Sequence, residues 1–125
     1  MSKEAEQKEY DLDKRTLEFA KACRELVKEL PQHTANFEDG KQLVRSSGSV
    51  AANYREASEA LSEDDFYHRM KLCRKEASES GLWLELCDLG DKDNLQAKAE
   101  ELIQETTELQ KIFGSIITNR KTDSN

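Results

Sequence analysis

Four polar side chains, Arg45, Ser49, Asn53 and Glu56, stand at i, i+4, i+8 and i+11. On a helix that spacing sets a guanidinium, a hydroxyl, an amide and a carboxylate in one row along one face. Such a row can bind a polar ligand or relay a proton, and it can equally lock one helix against another. The stretch that carries it, R-S-S-G-S-V-A-A-N-Y-R-E-A at 45–57, is Ser, Gly or Ala at seven of thirteen positions, so a neighbouring helix can come close. Its complement lies downstream, where Glu76, Glu79 and Trp83 fall at i, i+3 and i+7 on one helical face. With the two segments antiparallel, these acids can meet Arg45, Ser49 and Asn53. Groups of this kind are costly to bury singly and tolerable when bonded to one another. A hydrogen-bond network that fixes helix register is therefore favoured over a binding or acid–base site.

A second cluster is basic: His68, Arg69, Lys71, Arg74 and Lys75. Lys71 shares a face with both Arg74 and Lys75. Phosphate, and hence RNA or DNA, is the ligand class for such a patch. The alternative is a solvated face balanced by Glu79 and the acids at 63–65. Other chemistries find little support. A carboxylate-bridged di-metal bundle requires two Glu-x-x-His pairs. This chain has two histidines, His33 in an expected connection and His68 closing a single D-F-Y-H run. There is no Walker loop, no G-x-G-x-x-G and no nucleophile elbow. No catalytic residue, metal site or cofactor is expected.

The elements that must position these residues are helices. Leu12, Thr16, Phe19, Cys23, Leu26 and Leu30 step by 3 and 4, which predicts a helix over about 11–30, capped by Asp11 and ended by Pro31. Residues 31–39 read as a connection. The second helix, about 39–60, is apolar at Leu43, Val44, Val50, Ala51, Tyr54 and Ala57. Gly48 inside it costs about 1 kcal/mol relative to Ala and is read as a point of close helix approach. Ser62, followed by Glu63, Asp64 and Asp65, opens a third helix over about 62–89. Its stripe is Phe66, Met70, Cys73, Ala77, Ser80, Leu84 and Cys87, with Leu72, Leu82, Leu86 and Leu89 on other sides. Gly90 suits a C-terminal cap. The fourth helix, about 94–118, opens on a D-N-L-Q capping box and keeps a 4-3 spacing through Leu95, Ala99, Leu102, Thr106, Leu109, Phe113 and Ile116. The sum is an all-α, antiparallel up-down-up-down four-helix bundle over 11–118, with flexible tails at 1–10 and 119–125. Surplus apolar surface on the third and fourth helices fits a bundle that self-associates, with a wide monomer core as the alternative.

Charge narrows the partners. The 125 residues carry a net charge of -7 and a sequence pI near 4.9, so the global field repels nucleic-acid backbone and anionic membrane. No stretch approaches the roughly 20 apolar residues of a membrane span, and the N-terminus has no apolar signal region. Cys23, Cys73 and Cys87 are odd in number and widely spaced; they read as reduced core thiols of a cytoplasmic protein.

Three segments resemble a known family. R-S-S-G-S-V-A-A-N-Y-R-E-A at 45–57 resembles the R-S-x-x-S-[IV]-x-A-N-x-x-E-A signature of the bacterial four-helix-bundle proteins named after the 23S rRNA intervening sequence. R-K-E-A-S-E-S-G-L-W-L-E-L at 74–86 is similar to its K-E-x-x-E-x-x-x-W-L-x-L motif, and L-I-Q-E-T-T-E-L-Q-K-I-F-G-S-I-I to its C-terminal E-x-x-E-L-x-x-I pattern. Position by position, Arg45, Ser49, Asn53 and Glu56 match the first motif, and Lys75, Glu76, Glu79 and Trp83 the second. The resemblance implies an antiparallel bundle that assembles into a ring-like homopentamer, with no established enzymatic activity. Some members are encoded within 23S rRNA gene insertions. A related group serves retroelements as an accessory protein meeting nucleic acid and reverse transcriptase through a basic surface. The acidic charge of this chain departs from that group.

Overall fold

The computed structural model describes residues 11–123, with side chains through Arg120. The expected tail at 1–10 lies outside the described residues. Four helices follow one another: α1 (Leu12–Glu29), α2 (Thr34–Ser58), α3 (Glu63–Leu86) and α4 (Asp93–Asp123). Each packs on the next and α4 closes on α1. Rising numbers on one helix meet falling numbers on its neighbour throughout. Val27 lies against Gly40 and Arg24 against Gly48. Asn53 meets Arg69, Ser46 meets Ser80, and Asn36 meets Asp88. Gly81 faces Thr106, while Arg15 reaches Glu105 and Lys98 reaches Glu29. The bundle is therefore up-down-up-down, as its short links require.

The core follows the 3-4 periods closely. Leu12, Thr16, Phe19, Cys23, Leu26 and Leu30 are all buried. On α3 the buried line is Met70, Cys73, Ala77, Ser80, Leu84 and Cys87, with Phe66 partly covered at its start. On α4 the line runs from Leu95 through Phe113 and then takes Ile117 in place of Ile116. A straight helix drifts against a strict seven-residue repeat, and over three heptads the drift moves the inward position by one. Full burial of a Leu or Phe contributes about 1.5–3 kcal/mol, so these lines supply most of the driving force.

Three boundaries differ from the sequence reading by more than two residues. α2 starts at Thr34, five residues before Asp39, because His33 caps it: Asn36 N–H donates to His33 Nδ1 at 3.3 Å. α3 ends at Leu86 instead of Leu89. Asn36, in the first turn of α2, takes both backbone groups of Asp88, accepting its N–H and donating to its C=O, each at 2.8 Å. A helix could not continue through a residue held that way. Gly90, at φ 65°, then makes the left-handed turn inside the link rather than the helix cap itself. α4 continues to Asp123 past the expected end at Thr118; Arg120 pairs with Asp64 and lies over the Tyr67 ring, 4.5 Å from its centroid. Ser62 caps α3 as expected, accepting from Asp65 N–H at 3.1 Å, whereas Asp11 precedes α1 without a side-chain cap bond. Gly48 is close to a neighbour as expected, but the neighbour is the guanidinium end of Arg24; tight approach to packed side chains occurs at Gly40 against Val27 and at Gly81 against Thr106. Among the described residues no helix is long and apolar enough to cross a membrane.

Candidate functional site

The small-residue stretch of α2 brings α3 close, and the contact at its centre is a pair of hydroxyls. Ser46 Oγ and Ser80 Oγ lie 2.8 Å apart, both fully buried. Ser80 donates to Glu76 C=O at 2.9 Å, which leaves Ser46 to donate to Ser80 Oγ, with Leu43 C=O at 3.4 Å as its longer alternative acceptor. Below them the Cys73 thiol points at Val50 C=O at 3.7 Å. This inner line is Ser46, Val50 and Ala57. The anticipated polar row lies at its outer edge, since Arg45 and Ser49 flank Ser46 and Val50 on the helix wheel.

Along that edge the acids find one partner. Arg45 Nη1 donates to Glu76 Oε2 at 3.4 Å and Arg45 Nη2 to Glu79 Oε2 at 3.1 Å. The arginine side chain is 53% exposed and that of Glu76 only 11%. Ser49 and Asn53 do not meet the acids. Asn53 Nδ2 donates to Ser49 Oγ and C=O on its own helix, and Asn53 Oδ1 accepts from Arg69 Nη1 at 3.1 Å. Glu56 is exposed and joins no seam group. Trp83 is half-buried against the core, and its Nε1 is enclosed without a hydrogen-bond partner. Arg69 Nε is likewise enclosed, 3.8 Å from Asp65 Oδ1 and outside hydrogen-bond range. The row thus divides into an Arg45–Glu76–Glu79 triad and a Ser49–Asn53–Arg69 chain. Both join helix to helix.

The basic cluster divides as well. Arg69 belongs to the seam. His68, Lys71, Arg74 and Lys75 stand exposed on the outer side of α3. Of the acids expected to balance the cluster, Asp65 pairs with its member Arg69, while Glu79 pairs with Arg45 and Asp64 with Arg120.

Sequence reasoning placed residues 31–39 in a loop and so missed the clasp between the two links at one end of the bundle. Asn36, fully enclosed, donates from Nδ2 to Pro31 C=O and Asp88 C=O and accepts from Asp88 N–H. His33 Nε2 lies 3.0 Å from Asp88 Oδ2. Asp88 Oδ1 accepts from Gly90 N–H, and this bond, with that to His33, holds the Asp88 carboxyl below its ordinary pKa. Beside the clasp a groove of about 860 Å³ opens between α1 and α2, lined by Val27, Pro31, Phe37, Gly40 and Val44 and sharing only Arg45 with the seam. Phe37 is 65% exposed there. The single signal in the sequence was an aromatic residue in a segment otherwise read as loop. Cys23, Cys73 and Cys87 are free and buried. Among the described residues no group of three or more His, Cys, Asp or Glu could hold a metal ion.

A family model described as 23S rRNA-intervening sequence protein matches residues 8–115. Among solved structures, one described as a protein of unknown function from the S23 ribosomal protein family, from Bacteroides thetaiotaomicron VPI-5482, is 35% identical and superposes with a TM-score of 0.74. The match covers 89% of this chain and 98% of that one. Comparison with curated proteins gives no match.

Proposed function

The chain belongs to the 23S rRNA-intervening sequence protein family, and from that premise we propose that it is a non-enzymatic, self-associating helical-bundle scaffold or adaptor of the cytoplasm. The observation that carries this reading is apolar surface left in water. Leu82 and Leu86, one turn apart on α3, are 49% and 54% exposed, and Phe37 projects from the opposite flank of α2. Meanwhile the most polar part of the bundle, the α2–α3 seam, is occupied by its own side chains. Three free buried thiols suit a reducing compartment. The assembly we propose is a ring-like homopentamer. Light scattering tests it: the expected mass is five times the 14.3 kDa chain, and a monomer across the micromolar range defeats the reading.

A second reading has its own support. His68, Lys71, Arg74 and Lys75 carry no ion pair among the described residues of an otherwise acidic protein, so an RNA or DNA phosphate backbone, or a reverse transcriptase complex holding one, can be met locally. Binding through them would give a steep negative slope of log K against log salt, and Lys71→Ala with Lys75→Ala would flatten it by about two phosphate contacts. No binding at low salt removes this reading.

A further inference from the structure

We propose that the groove between α1 and α2 is the seat for α3 of a second copy of this chain, with Leu82 and Leu86 as the inserted side chains and a Glu85–Lys41 ion pair across the contact. This rests on the self-association reading above and assigns the surfaces that carry it.

The two surfaces lie on different sides of one bundle. The buried line of α3 runs through Cys73, Ala77, Ser80 and Leu84. At about 100° per residue, Leu82 and Leu86 fall on the far side of the helix, facing away from the bundle. The groove opens at another corner, between α1 and α2. A protruding surface and a concave one that are not the same patch pair head to tail, and such a contact closes into a ring when the rotation permits.

Their heights along the bundle agree. Ser46 and Ser80 are hydrogen-bonded across α2–α3 and therefore level. The two helices are antiparallel and rise equally, about 1.5 Å per residue. Counting outward from the serine pair, Leu82 is level with Val44, Glu85 with Lys41, and Leu86 with Gly40. The Asn36–Asp88 clasp keeps this register to within two residues at the end of the bundle. In a ring whose axis runs along the bundles, only features at equal height can meet. Leu82 and Leu86 meet that condition with the groove walls Val44 and Gly40, and Phe37 lies about one turn beyond.

Charge agrees with shape. Glu85 is exposed beside the two leucines and joins no ion pair among the described residues. Lys41 is exposed over the Phe37 ring, 4.7 Å from its centroid, and its acid neighbour Glu38 is 3.7 Å away, beyond a good hydrogen bond. The inserted face thus brings an acid to a cation poised at the groove wall. Apolar insertion supplies the affinity, and the rim pair supplies register.

The test uses two variants of the full chain and their mixture, followed by light scattering, with far-UV circular dichroism confirming the fold. Leu82→Asp with Leu86→Asp blocks the inserted face and leaves the groove. Phe37→Asp blocks the groove and leaves the inserted face. Each alone is expected to be monomeric where the unmodified protein assembles, and an equal mixture is expected to stop at a dimer containing one of each. Should Phe37→Asp fail to fold, Glu85→Lys weakens assembly at a purely exposed position, and adding Lys41→Glu on the same chain restores it. An unmodified protein that stays monomeric overturns both this assignment and the self-association reading, leaving the groove to some other partner. An assembly that persists at full size in both variants overturns the assignment alone. A dimer of either variant with itself overturns the head-to-tail contact.

Discussion

The Arg45 guanidinium reaches Glu76 at 3.4 Å from a position half in water, while the carboxylate it meets is nearly enclosed. The two ends of this pair are therefore unequal. Removing the arginine leaves a buried carboxylate without its donor; removing the glutamate leaves a solvated arginine still bonded to Glu79 at 3.1 Å. Arg45→Ala should cost about 2 kcal/mol, the order of an uncompensated buried charge at a partly wetted site. Glu76→Ala should cost under about 1 kcal/mol. Urea unfolding gives both values, and adding Glu76→Gln to Arg45→Ala should recover most of the loss. Equal costs would mean that the edge is wetter or drier on both sides than the geometry shows.

That asymmetry marks how far the seam could be read in the sequence. The spacing of Arg45, Glu76 and Glu79 was enough to bring them together, because two antiparallel helical rows of opposite charge have few other ways to be satisfied. It did not separate Ser46 from Ser49. Both lie in a run of small residues, and only the rotation of α2 about its axis, set by Leu43, Val50 and Ala57 together, turns Ser46 inward. Arg69 was placed with its basic neighbours because charge is local in a sequence, whereas its partner Asn53 is sixteen residues away and one helix over. The apolar lines of α1, α3 and α4 were legible almost residue for residue, as period alone fixes them. The start of α2 was not, because its cap is a histidine and its first two turns carry one large apolar residue, Phe37, which faces out.

Asn36 is expected to be the most sensitive polar position in the protein. Its three hydrogen bonds, each 2.8 Å, tie the start of α2 to Pro31 in the α1–α2 link and to Asp88 in the α3–α4 link. Asn36→Ala strands Asp88 N–H, Pro31 C=O and Asp88 C=O in a part-buried site, at about 1 kcal/mol or more for each. A total near 3 kcal/mol should appear in denaturant unfolding. Hydrogen exchange should locate the loss: amides at the start of α2 and the end of α3 become labile while the Ser46–Ser80 region stays protected. Asn36→Asp should be nearly as harmful, because it keeps the acceptor and loses both donor bonds.

Asp88 should give the clasp an acid limit. Its carboxyl is held below the ordinary value by the Gly90 N–H first and by His33 second. A group depressed on folding contributes stability that is present above its unfolded pKa, near 4, and that is lost as pH falls through the lower folded value. The stability of the native protein should therefore decline on acidification below about pH 4, and Asp88→Asn should make that decline shallower while lowering stability at neutral pH. Unfolding curves between pH 2 and pH 7, compared for the two proteins, check the sign. An unchanged acid slope would show that Asp88 is not a source of it.

The three thiols set a corresponding limit at high pH. Burial pushes Cys23 and Cys73 up to about 12 and Cys87 up to about 11, from an ordinary 9.0. A raised folded value means that the neutral thiol is favoured inside. The stability this gives is complete below the unfolded pKa and is lost as pH rises from about 9 through the folded values. At neutral pH the thiolate is the reactive form, and the folded protein offers almost none of it. Labelling by an aromatic disulfide reagent should then proceed only through opening. Cys23 and Cys73 lie mid-helix in the core, so they should react together, at the rate of global unfolding. Cys87 caps α3 beside the clasp, so Asn36→Ala should accelerate Cys87 more than the other two. Equal acceleration of all three would mean that the clasp and the bundle open as one unit.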